Sequence, residues 1–161
     1  VVDALGRTSA ASIVVVNRSP ERAAQAAALA PQARVGTEAD VADASIVVNA
    51  TSIGLGATGE DAADLPFDPR VLRSHHVVAD LVYHPLETPL LRHADAAGCT
   101  VVDGLGMLIH QAVLQQLLWT GQRPDPDVMR AAALDELARR AGIGPDRARS
   151  RSVPSPPCCG T

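Results

Sequence analysis

Val101-Val102-Asp103-Gly104-Leu105-Gly106-Met107-Leu108-Ile109-His110-Gln111-Ala112 joins a short apolar run to an apolar helical pattern across one acid and two glycines. The spacing predicts a strand over Thr100 to Val102. Gly104 and Gly106 then permit a backbone approach that a Cβ would obstruct, and Met107 opens a helix whose inward positions are Leu108, Val113, Leu114 and Leu117. Gln111 lies one turn inside that helix. Its amide either reaches a bound hydroxyl or faces solvent, and helical spacing alone favours solvent.

Working towards the amino terminus, the same strand-to-helix unit recurs. Ser12 to Val16 is a strand followed by a helix from Pro20 to Leu29, and Gln32 to Val35 is a brief second strand. A helical turn around Val41 to Asp43 precedes a third strand, Ser45 to Asn49. His76 to Leu81 is the fourth, followed by a helix from Pro89 to Ala97 that leads back to Thr100. Alternation of this kind predicts an α/β fold with a parallel sheet, and near-continuous Val and Ile predicts strands buried on both faces. Towards the carboxyl end, Met107 to Trp119 and Asp127 to Arg140 read as two helices joined through Pro124 and Pro126. One domain over 1–140 and a Pro, Ser and Arg-rich disordered tail over 141–161 are expected.

Composition narrows the classes of function. In 161 residues, 47% are hydrophobic and the formal net charge is -4, enough apolar content for one core and no basic footprint for nucleic acid. Aromatic residues make up 2%, which leaves no stacking platform for bases. No apolar run is long enough to span a bilayer and no charged-then-apolar leader is present, so neither membrane insertion nor secretion is expected. Cys99 precedes a strand and reads as a small buried hydrophobe, while Cys158 and Cys159 are adjacent and cannot form a framework disulfide, which fits a reducing, cytoplasmic setting. The five histidines show no ligand spacing, and no metal is expected. All 14 residues of the Lys+Arg total are arginine. The chain starts without Met, and Val1 to Leu5 reads as the end of a helix already under way, so a longer protein is expected.

Three strand exits carry the chemistry. At the first, Asn17-Arg18-Ser19-Pro20-Glu21-Arg22 sets Ser19 at an N-cap and Pro20 at the first helical position. In a dinucleotide-binding unit the carboxyl end of the second strand meets the adenosine ribose, where an acid selects NAD and an arginine accommodates the 2′-phosphate of NADP. Asn17 and Arg18 occupy such a place; the other reading is an Asn turn beside a solvated Arg. At the second exit, Asn49-Ala50-Thr51-Ser52-Ile53-Gly54 either lines a dinucleotide channel or merely turns, and the Gly, Ala and acid-rich loop Leu55 to Asp64 is expected to be mobile. At the third, Asp80-Leu81-Val82-Tyr83-His84-Pro85-Leu86-Glu87-Thr88-Pro89 repeats the cap-and-proline device at Thr88 and Pro89. Tyr83, the sole tyrosine, is either packing with a satisfied hydroxyl or a ligand contact.

These three segments, in this order, resemble the shikimate dehydrogenases. The Asn-Arg-Ser-Pro segment, the Asn-Ala-Thr segment, the Tyr83 segment and the Gly104 to Gln111 stretch together spread the resemblance over roughly Val1 to Leu137. The resemblance implies a Rossmann-like, doubly wound parallel sheet with carboxyl-terminal helices. That sheet is incomplete, because the first strand and glycine-rich turn of such a fold would lie before Val1. It also implies NADP as cofactor, with Asn17, Arg18, Ser19 and Arg22 at the adenosine phosphate, Thr51 and Ser52 facing the cofactor, and Leu81, Gly104 and Met107 at the nicotinamide side. Tyr83 and Gln111 would touch the small-molecule substrate, shikimate or 3-dehydroshikimate. His84 departs from the family's usual Asn. The family's catalytic Lys and Asp belong to a preceding substrate domain, and no lysine here can replace the former, so no catalytic acid or base is assigned and the chain alone is expected to be inactive. Two other readings stay open: a non-catalytic NADP-binding remnant or incomplete reading frame, and a nucleotide domain of the glutamyl-tRNA reductase type, which has no counterpart to Asp103-Gly104-Leu105-Gly106-Met107. The oligomeric state is left unassigned.

Overall fold

Parallel pairing is what the apolar runs produce. The computed structural model describes residues 1–56 and 65–140. A one-turn helix α1 (Val2–Gly6) leads to β1 (Ile13–Val15), helix α2 (Pro20–Ala27) and β2 (Ala33–Val35). A 3-10 helix, Glu38–Asp43, precedes β3 (Ile46–Asn49). A second 3-10 turn, Pro69–Val71, leads to β4 (Val77–Asp80), helix α3 (Pro89–Ala96) and β5 (Thr100–Val102), and helices α4 (Gly104–Thr120) and α5 (Pro126–Arg140) complete the described chain. Most of the expected mobile loop and all of the expected disordered tail lie outside the described residues.

β1 pairs with β2, and β3 pairs with β4 and β4 with β5, all parallel. The strands form two parallel sheets, of order β1-β2 and β3-β4-β5, rather than the one continuous sheet expected. The expectation of burial on both faces needs correction. Only β4 comes near it, whereas Ile46 is 57% exposed and Val35 and Val102 are each 45% exposed. Edge strands and strands covered on one side keep half their Val and Ile in contact with solvent.

The core lies where α3 packs on β4 and β5, with β3 beside them. Val47 and Val78 meet Leu72, Leu90, Leu91, Ala94 and Cys99 there, and full burial of each large aliphatic side chain is worth about 1.5–3 kcal/mol. The Cys99 thiol donates to the Arg73 carbonyl at 3.1 Å, and burial pushes its pKa up, as befits a packed rather than reactive thiol. His76 is fully buried and satisfied. Its Nδ1 accepts from the Arg73 N–H at 2.8 Å, so Nε2 carries the proton towards the Val41 carbonyl at 3.1 Å and ties the first 3-10 helix to β4.

Two compact units are distinguishable, Val1–Gly104 and the chain from Leu105 onward. In the second, α4 buries Leu105, Ile109 and Val113, an i, i+4, i+8 stripe. The expected inward set is corrected at Leu114, which is 61% exposed, because it lies about 100° round the helix from Val113, off the Leu105, Ile109 and Val113 stripe. In α5, Val128 is 66% exposed and Ala138 is buried. No helix among the described residues is long and apolar enough to cross a membrane.

Candidate nucleotide site

At the end of β1 the backbone turns on its own side chains. The Asn17 side-chain carbonyl accepts from the Ser19 N–H at 2.9 Å, and the Ser19 hydroxyl oxygen accepts from the Arg22 N–H at 3.4 Å, so Ser19 caps α2 with Pro20 behind it. This is the expected device, and a cap of this kind is worth about 1 kcal/mol. The Ser19 hydroxyl also donates to the Glu21 carboxylate at 2.9 Å. Hydrogen bonds from its own backbone N–H and from Ser19 hold the Glu21 carboxyl below the usual range. Asn17, Arg18 and Arg22 are exposed. Among the described residues neither Arg18 nor Arg22 has a side-chain hydrogen bond or ion pair. Arg34, Arg70, Arg139 and Arg140, by contrast, each meet a carboxylate. Two unengaged guanidinium groups at a helix N-terminus form a local anion-attracting surface.

The second and third exits are a single structure. Asn49 and Asp80 are register partners at the ends of β3 and β4. The Asn49 amide donates to Asp80 Oδ1 at 2.9 Å and to the Ile53 carbonyl at 3.2 Å. Asp80 Oδ1 also accepts from the Val82 N–H at 3.0 Å, and Oδ2 accepts from the Thr88 hydroxyl at 2.7 Å. Thr88 in turn caps α3 through the Leu91 N–H at 3.2 Å. Asn49, Asp80 and Thr88 are 3%, 1% and 0% exposed, so each donor and acceptor depends on the others rather than on water. In the sequence Asn49, Asp80 and Thr88 stand only as motif letters and a cap. The available signal is polarity: an amide and a carboxylate close two otherwise apolar strands, and buried groups of that kind need partners.

The sequence-predicted residues hang on this network. The Thr51 N–H and hydroxyl donate to Asn49 Oδ1 at 3.1 and 2.7 Å, leaving Thr51 and Ser52 exposed at the turn. The Leu81 N–H donates to the Asn49 carbonyl at 3.0 Å, and the Gly56 N–H donates to the His84 carbonyl at 2.8 Å. Tyr83 is 40% exposed, and the His84–Pro85 peptide is cis. Gly104 closes the cluster. A Cβ there would lie 2.5 Å from the Val82 carbonyl oxygen and 2.6 Å from that of Leu81. The close approach expected of Gly104 is thus real, but it is to the turn after β4. At Gly106 a Cβ would meet nothing within 4 Å among the described residues. Met107, 39% exposed, and Gln111, also exposed, lie one turn apart on α4 in the second unit. Among the described residues no group of three His, Cys, Asp or Glu side chains gathers as a metal site.

Residues 104–134 match the model of the shikimate 5'-dehydrogenase C-terminal domain. The NADP(+) shikimate dehydrogenase of Ruegeria sp. (strain TM1040) is 53% identical over 97 residues, which are 60% of this chain and 33% of that protein. Over most of its length the chain is a homologue of shikimate dehydrogenases. Matches to such relatives cover up to 88% of it, and the chain spans a third to a half of the length of the curated relatives it matches. Two solved structures share the fold. The shikimate dehydrogenase of Thermus thermophilus, in complex with NADP(H) and shikimate, is 38% identical with a TM-score of 0.67, covering 81% of this chain and 46% of that one. A quinate dehydrogenase from Corynebacterium glutamicum in complex with NAD is 34% identical with a TM-score of 0.72, covering 83% and 50%. Shikimate dehydrogenase likeness thus extends well beyond the stretch from 104 to 134.

Proposed function

We propose that this chain is the carboxyl-terminal, NADP-binding part of a cytoplasmic shikimate dehydrogenase, whose complete form reduces 3-dehydroshikimate to shikimate in aromatic amino-acid biosynthesis. The observation that carries the reading is the exit of β1, where Arg18 and Arg22 have no side-chain partner among the described residues and stand beside the Ser19 cap. Arg18 offers a planar, permanently charged fork to the 2′-phosphate, the Ser19 hydroxyl exchanges its Glu21 contact for a phosphate oxygen, and Arg22 adds charge on the same helical turn. Asn17 holds the turn that presents them.

NADPH supplies a hydride for the ketone carbon. This chain's own residues position the two reactants. Leu81 and Met107 give apolar surface to the nicotinamide side, Gly104 lets the backbone lie against the turn after β4, and Thr51 and Ser52 line the cofactor's path. Tyr83 and Gln111 offer a hydroxyl and an amide to the substrate. The acid and base for the proton come from a preceding substrate domain, consistent with a chain spanning a third to a half of its relatives and containing no lysine. The test has two arms. Coding DNA upstream of Val1 is read, and the product of the complete reading frame is assayed for NADPH oxidation with 3-dehydroshikimate, expected to be positive, beside residues 1–161 alone, expected to be at buffer level. Turnover by the short form, or none by a folded complete form, overturns the proposal.

A further inference from the structure

The buried Asn49–Asp80–Thr88 cluster lies outside every role assigned above, and it is tied to both reactant-facing turns. Asp80 receives three hydrogen bonds, two on Oδ1 and one on Oδ2, from the amide of Asn49, the backbone of Val82 and the hydroxyl of Thr88. All three partners are donors, so the carboxylate serves as acceptor throughout. Through Asn49 it reaches the turn bearing Thr51 and Ser52, through Val82 the turn bearing Leu81 and Tyr83, and through Thr88 the start of α3. Gly104, within van der Waals reach of the Leu81 and Val82 carbonyls, is referenced to the same point.

We propose that Asp80 is a positioning residue: a buried carboxylate that fixes the Thr51–Ser52 turn and the Leu81–Tyr83 turn against each other, and so sets the seat of the nicotinamide half of the cofactor. The proposal rests on the NADP reading of the preceding subsection. Its physical basis is that a fully buried carboxylate accepting three hydrogen bonds leaves little freedom to the donors around it, while Thr51, Ser52 and Tyr83, the residues those donors carry, are exposed. The β1 exit shares none of these hydrogen bonds, so the adenosine phosphate end is independent of Asp80.

That independence provides the test. The product of the complete reading frame is titrated with NADP and with 2′,5′-ADP, which carries the adenosine phosphates and lacks the nicotinamide. Asp80→Asn keeps the shape and turns one acceptor into a donor facing the Thr88 hydroxyl. Thr88→Val removes that hydroxyl, and Thr88→Ser restores it without depending on how well the Asp80 variant folds. The expected result is an NADP affinity lowered about tenfold in Asp80→Asn and Thr88→Val, the scale of one hydrogen bond, with 2′,5′-ADP affinity within about twofold of the unmodified protein and recovery in Thr88→Ser. Equal losses for both ligands would show a merely structural role and overturn the proposal, as would unchanged NADP affinity. If the unmodified protein binds neither ligand, the nucleotide reading of the β1 exit fails first and this inference goes with it.

Discussion

The ends of β1 and β4 are built alike and behave in opposite ways. Each passes from an apolar strand, through a turn, to a helix capped by a hydroxyl residue with proline behind it, Ser19-Pro20 in one case and Thr88-Pro89 in the other. At β1 the turn leaves two exposed guanidinium groups unengaged among the described residues, with Ser19 shared between its helix and Glu21. At β4 the polar groups are spent internally, on Asp80 and its three donors. The contrast separates a surface kept open for an external anion from a device that holds the protein's own turns. Charge left free at a helix N-terminus costs little in water and gains when a phosphate arrives, whereas a carboxylate closed off from water persists only if its neighbours satisfy it.

The sharpest way to break this contrast is Asp80→Ala. It leaves the Asn49 amide, the Val82 N–H and the Thr88 hydroxyl without their buried acceptor, at about 1–3 kcal/mol each, so denaturant unfolding should show a loss of at least about 3 kcal/mol. A loss under about 1 kcal/mol would mean that water replaces the carboxylate and the site is not closed. Next in size is a pair at the glycines. Gly104→Ala forces a Cβ onto the Leu81 and Val82 carbonyls and should destabilise by about 1–3 kcal/mol, whereas Gly106→Ala, in open space within a helix, should stabilise by about 0.5–1 kcal/mol. Equal effects would remove the argument that Gly104 is fixed by close approach.

At the β1 exit the expected effects are on binding rather than folding. Arg18→Ala should weaken NADP binding by about 1.5–3 kcal/mol in isothermal titration while leaving NAD binding and the unfolding midpoint nearly unchanged. Similar losses for both cofactors would move the phosphate contact elsewhere. The smallest effect concerns surface ion pairs, which should matter least of all the polar contacts. Hydrogen bonds from Arg139 and Arg140 hold the Glu136 carboxyl down at about 2, below its ordinary 4.5, yet the pair is exposed. A folded-state value below the unfolded one gives a contribution that is present above about 4.5 and lost as pH falls towards 2. Backbone carbon chemical shifts across α5 should drift modestly towards coil over that interval, and Glu136→Gln should remove the drift.

How far each feature is legible in the sequence follows from the range of the interaction behind it. Ser19 and Thr88 as caps, Pro20 and Pro89 behind them, and the five strand centres depend on residues a few positions apart, and the structure has them where the pattern puts them, with strand ends moved by no more than one residue. Arg18 stands out because a strand end followed by a cap is a local signature. The need for space at Gly104 is legible too, but its object, the turn after β4, is not. Leu105 rather than Leu108 heads the buried stripe of α4 because tertiary contacts, not hydropathy alone, choose which face of that helix is covered.

Local chemistry in the sequence therefore determined the strands, the capped helices, the absence of lysine and the cationic exit of β1, since all of these are written in composition or in spacings of a few residues. Only the tertiary structure decided that Asn49 and Asp80, 31 residues apart, become hydrogen-bonded register partners and that Thr88 donates to the same carboxylate. Parallel pairing brings distant strand ends level with one another, and the cost of burying a charge makes the groups that meet there satisfy one another.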